Sequence, residues 1–213
     1  MAPESQMKRQ TAFNLEQAIE SIYRAFAVDP PSLIDGCPCC IEKRGVDVLL
    51  VTPLKSLRGE NLWSYVAGLF YTVGSVADYR YLLPRILELA ALSPGESNNP
   101  EIVLRKLALA DWSKWTTLEQ DTIFEFVMAW FEHSLERDMN LAFEGFDEAN
   151  CESIICGAAL AGMQLEPFVA RLRWLDVREV KAAIEQRLIA NEQSAFWNEF
   201  PERLREFRTL MSP

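Results

Sequence analysis

The sequence predicts an all-α fold, an irregular multi-helix array of about seven to nine helices, and three observations carry that prediction. Apolar residues recur at i, i+3, i+4 and i+7 along most of the chain. Residues with cap chemistry, together with prolines and glycines, punctuate that pattern at helical lengths. Only one short run, Val46–Thr52, is β-branched enough to read as extended, and a single short strand has no partner with which to build a sheet.

The first helical face is Leu15, Ala18, Ile19, Ile22, Tyr23 and Phe26, with Asn14 and Gln17 placed as a capping box. Asp29-Pro30-Pro31 stops it, because neither proline donates a backbone N–H and each restricts the residue before it. Leu62, Tyr65, Val66, Leu69, Phe70 and Val73 form a second face, closed by Gly74. Ser75, with Asp78 three residues on, opens a third helix whose face is Val76, Tyr79, Leu83, Ile86 and Leu87. Pro84 is expected to kink or split it. The clearest loop is Ser93–Asn99, after which Asn99 and Pro100 restart a helix as cap and first residue. Thr117 with Gln120 begins the longest pattern, which runs to about Glu136. A further helix spans roughly Glu148 to Ala161 and ends at Gly162. Two more start at Pro167 and at Asp176 with Glu179, and Ser194–Leu210 closes the chain. No period of 20–50 residues repeats, so a single helical domain with a soft boundary at residues 93–99 is expected rather than a solenoid.

The chain has 213 residues, 49% of them apolar, which is enough for a substantial core. Its net charge of −10 opposes binding to nucleic-acid backbones and anionic membranes. No apolar run reaches the ~18 residues of a membrane span, and Met1–Gln6 lacks a signal-peptide core, so a cytoplasmic location is expected. Residues 101–150 hold eleven acidic and four basic side chains, so most of the net charge falls in about fifty residues.

On a helical wheel with Asp121 at 0°, Glu125, Glu132 and Glu136 fall within ~60° of it. Ile123, Phe124, Val127, Trp130 and Phe131 form the opposite, core-directed side. Asp121/Glu125 and Glu132/Glu136 are like-charge i, i+4 pairs, and the last two lie toward the negative end of the helix dipole. Local stability opposes such a stripe. The reading is a docking surface for a protein with a basic surface, set against a plain solvated face. Glu144, Asp147, Glu148 and Glu152 extend the same surface in this reading. Trp112 and Trp115, just before the acidic helix, either plug a gap between helices or serve as aromatic hot spots beside the stripe.

Enzymatic constellations are sparse. The single histidine, His133, lies within the longest helix, and no phosphate loop or nucleophile elbow occurs. No catalytic residue, no resident metal and no cofactor are expected. Gly36-Cys37-Pro38-Cys39-Cys40 places Cys37 and Cys40 at C-x-x-C spacing, open to a zinc site, to thiol chemistry or to a tight loop of plain thiols. Cys151 and Cys156, five residues apart on one helix, turn ~140° from each other and suit a shared ion poorly.

The N-terminal 90 or so residues resemble an uncharacterised bacterial family of helical proteins. The resemblance rests on Gly36-Cys37-Pro38 with Cys40, on Pro53-Leu54, and on Asp78-Tyr79-Arg80 followed by Leu83-Pro84-Arg85. Val73-Gly74-Ser75 and Tyr81 depart from the family's Trp-Gly-Asp and histidine. Members are similar to the immunity proteins encoded beside polymorphic toxins. That similarity implies a stoichiometric inhibitor that occludes a cognate toxin domain, with a small zinc- or thiol-dependent protein using Cys37 and Cys40 as the alternative.

Overall fold

In a computed structural model of the chain, which describes residues 15–37, 48–146 and 149–212, helix dominates and no strand is formed among the described residues. The helices are α1 (15–25), α2 (Val48–Val51), α3 (Gly59–Gly68), α4 (Val76–Leu92), α5 (Pro100–Leu109), α6 (Thr117–Phe143), α7 (Cys151–Leu160), α8 (Glu166–Leu172), α9 (Arg178–Ala190) and α10 (Pro201–Met211). The fold is all-α, as the apolar spacing predicts. The described residues fall into two compact units, one within Ala18–Ile123 and the other from Phe124 onward together with residues 15–17. The loop at 93–99 lies inside the former.

Within Ala18–Ile123 the apolar faces are buried as spaced: Ile22 of α1 and Phe26 just after it, Leu62, Tyr65 and Val66 of α3, and Tyr79, Leu83, Ile86 and Leu87 of α4. The expected cap of α4 is present. Ser75 sends its backbone N–H (2.8 Å) and its hydroxyl to Asp78 Oδ1. The helix runs through Pro84 as one element.

Three expectations are corrected here. The β-branched run contributes a helical turn, Val48–Val51, closed by Thr52 N–H onto the Val48 carbonyl at 3.1 Å; Val46 and Asp47 lie outside the described residues. The second apolar face is helical only to Gly68. Beyond it Leu69 and Val73 are still buried, but in a loop with Phe70 at φ +65° and Gly74 at φ +84°. That loop is held from outside the helix. Lys106 Nζ donates to the Leu69 carbonyl at 3.0 Å, Gly74 N–H to Asp35 O at 2.7 Å, and Cys37 N–H to Thr72 O at 3.1 Å. Finally, α6 is capped one residue earlier than expected, by Thr116. Its backbone N–H and hydroxyl reach Glu119 Oε2 at 3.0 and 2.9 Å, and Glu119 N–H returns to Thr116 Oγ1. The helix also outruns its expected end, reaching Phe143.

In the unit from Phe124 onward, α6 buries Phe126, Val127, Trp130, Phe131 and Leu135, while Phe124, expected in the core, is half-buried. Asp138, fully buried on α6, caps α7 by accepting from Cys151 N–H (2.7 Å) and Asn150 Nδ2 (2.9 Å). Gly162, at φ +80°, ends α7 as predicted, with Met163 N–H returning to the Ala158 carbonyl at 2.9 Å. Trp197 stacks on Phe207 with centroids 5.2 Å apart.

Candidate functional site

The four stripe carboxylates do not share one environment. Asp121, in the unit Ala18–Ile123, is exposed. In the unit from Phe124 onward, Glu125 is exposed and Glu136 half-buried, and among the described residues no ion pair is formed by either. Glu132 is the exception. Arg171 of α8 reaches it at 3.0 Å and also contacts Asp176 at 3.2 Å. Burial pushes the Glu132 carboxyl above the usual range, the Arg171 guanidinium pulls it back, and Asp176 and Glu136 push it up again. The compensating cation lies about forty residues away in sequence, which a helical wheel of α6 cannot show.

Glu152 does not extend the acidic surface. It is buried, accepting the Trp197 indole N–H and Ser194 N–H (3.2 Å). Glu144 is exposed, and Asp147 and Glu148 lie outside the described residues.

Trp115 is half-buried and faces inward on three sides. Its ring centroid lies 5.6 Å from Phe26 and 6.3 Å from Tyr79, and the Arg80 guanidinium stacks on it at 4.8 Å. Arg80 also pairs with Glu119, the cap residue of α6. Trp112 is half-buried at the start of a 3₁₀ turn, Trp112–Lys114.

The motif residues behind the family resemblance have structural work in Ala18–Ile123. Asp78 caps α4 and accepts the Tyr65 hydroxyl at 2.5 Å; Tyr79 is buried against Phe70 and Trp115; Arg80 joins Trp115 to Glu119. Arg85 donates to the Leu57 carbonyl at 2.7 Å and pairs with Glu88, which also accepts the Tyr23 hydroxyl at 2.6 Å.

Cys37 is exposed, Cys40 lies outside the described residues, and both Cys151 and Cys156 are buried on α7. Burial pushes the Cys151 thiol up, and Asp138 adds to it, so the thiolate is disfavoured there. Among the described residues no three His, Cys, Asp or Glu side chains converge on a point that could hold a metal ion. His133 is half-buried on α6, and burial followed by Arg137 holds its imidazole below the usual range.

One surface feature escapes the periodicity argument. Trp174 and Leu175, between α8 and α9, are 57% and 79% exposed. Helix α8 is only seven residues long and a 3₁₀ turn follows it, so no repeating spacing marks these residues. The signal in sequence is compositional: Arg171-Leu172-Arg173-Trp174-Leu175-Asp176 puts two large apolar residues among charges.

Comparison with protein-family models, curated proteins and solved structures gives no match to this chain. Among the described residues no helix is long and apolar enough to cross a membrane.

Proposed function

We propose that this chain is a stoichiometric binding protein, acting as an immunity protein that neutralises a toxin domain by covering its basic active surface. The observation that carries the reading is the outer face of α6, where Glu125 and Glu136 form no ion pair among the described residues and a like-charged Glu132 lies between them. Arg171 relieves only Glu132, and like-charged residues on the helix that gain no such cation suit a surface used for association. Opposed charges accelerate encounter, which suits an inhibitor that must reach its toxin quickly. The protein acts in the cytoplasm in this reading, without a cofactor and without chemistry of its own.

The test is to express the protein encoded by the neighbouring gene, alone and together with this chain. A toxic product whose toxicity is relieved by a one-to-one complex supports the reading; a neighbour that is harmless or does not bind contradicts it. The thiol- or zinc-dependent alternative makes a different prediction: about one zinc per purified chain and unfolding on chelation. The immunity reading predicts no change in melting temperature on chelation.

A further inference from the structure

We infer that Trp174 and Leu175 form the apolar anchor of the docking surface, seating in an apolar groove bordered by lysine or arginine on a protein partner. The inference rests on the docking reading above and names the chemistry of its contact. Trp174 is joined to the α6 face through a short chain of contacts. The Arg171 guanidinium lies over the Trp174 ring at 4.6 Å, and the same group contacts Glu132 at 3.0 Å and Asp176 at 3.2 Å. Arg171 is itself largely buried, with 12% of its side chain exposed, so it holds one face of the indole in a set position while the rest stays open. A rigid, half-supported tryptophan loses little conformational freedom on association, which is the property of an interface hot spot.

The charge around the anchor defines the partner. Arg171 contacts Glu132 and Asp176, and Glu136 lies near enough to add to the negative field at Glu132. Of the neighbouring cations, Arg178 is paired with Glu179, whereas Arg173 donates to the Leu210 carbonyl at 2.6 Å and keeps its charge, so the three carboxylates face Arg171 and Arg173 and exceed them by one. A tryptophan and a leucine beside a carboxylate excess are complementary to an apolar groove with a basic rim. They do not fit a bare polycation, which offers nothing to the indole.

The experiment compares two labelled peptides of equal positive charge, an oligolysine and an amphipathic leucine–lysine peptide, binding to the full chain in low salt. The amphipathic peptide is expected to bind at least fivefold more tightly. In a W174A/L175A variant its affinity should fall to that of oligolysine, with W174F keeping part of the difference. Both side chains are exposed and Arg171 retains Glu132 and Asp176, so the variant should keep the wild-type circular dichroism and melting temperature. Equal affinity of the two peptides for the wild type, or an undiminished difference in a folded W174A/L175A, overturns the anchor while leaving the acidic face standing. Failure of both peptides to bind the wild type overturns the docking reading and the anchor with it.

Discussion

Two carboxylates, Asp78 buried and Glu132 half-buried, show how differently the same group behaves in this chain. Asp78 accepts from Tyr65, from the Ser75 hydroxyl and from the Ser75 backbone N–H, with no exposed surface. Removing it strands three donors in the core, so Asp78→Ala should cost about 3 kcal/mol in denaturant unfolding. Tyr65→Phe removes one partner and leaves Asp78 two others, so it should cost only about 1 kcal/mol. Equal costs for the two variants would contradict the asymmetry. Glu132 is the reverse case, because burial outweighs the pull of Arg171 and its carboxyl titrates above the usual 4.5. A raised carboxyl pKa means the folded state binds the proton more readily, so stability rises as pH falls from the raised value toward 4.5. Glu132→Gln leaves Arg171 paired with Asp176 and removes that titration. At pH 7 the variant should match or slightly exceed the wild type, by less than about 1 kcal/mol, and below the window the two should converge. A variant markedly less stable at neutral pH would mean the ion pair outweighs its desolvation.

Among the elements, sequence reading succeeds where local chemistry decides and fails where distant residues do. The Ser75–Asp78 cap and the Gly162 stop were legible because each involves residues a turn apart. The end of α3 was not, because Leu69 and Val73 keep helical spacing while sitting in a loop fixed by Lys106 and Asp35. The partner of Glu132 was hidden for the same reason: Arg171 belongs to another helix. Trp174 was missed because α8 is too short for its spacing to distinguish buried from exposed positions. Gly74 and Gly162 turn this contrast into numbers. Both have φ in the left-handed region, where a side chain costs roughly 1 kcal/mol. A Cβ at Gly162 meets open space, whereas at Gly74 it would lie 2.4 Å from Leu69 Cδ1 and 3.0 Å from Asp78 Oδ2. Gly162→Ala should therefore cost about 1 kcal/mol, and Gly74→Ala at least about twice that, read from unfolding midpoints. Similar losses at both positions would show that the loop after α3 gives way to the added methyl.

For the whole molecule, the all-α class followed from apolar spacing that repeats in nearly every segment, and a net charge of −10 favours a basic partner surface in the proposed docking reading. Charge alone does not locate the proposed contact, since a solvated acidic surface has the same composition; Glu125 and Glu136, which form no ion pair among the described residues, are the positions the docking proposal puts forward. The most direct test of the docking proposal is the affinity of Glu125→Lys/Glu136→Lys for whichever toxin domain the co-expression test above identifies as its partner, measured at low and at moderate salt. Among the described residues neither position has an ion pair to lose, and removing like charges along α6 should leave the melting temperature unchanged or raise it. The account predicts at least tenfold weaker binding at low salt, about 1.4 kcal/mol, with most of the loss in association rate and a smaller difference as salt screens the charges. A folded double variant that binds the domain as tightly as the wild type would show that the acidic face takes no part in recognition.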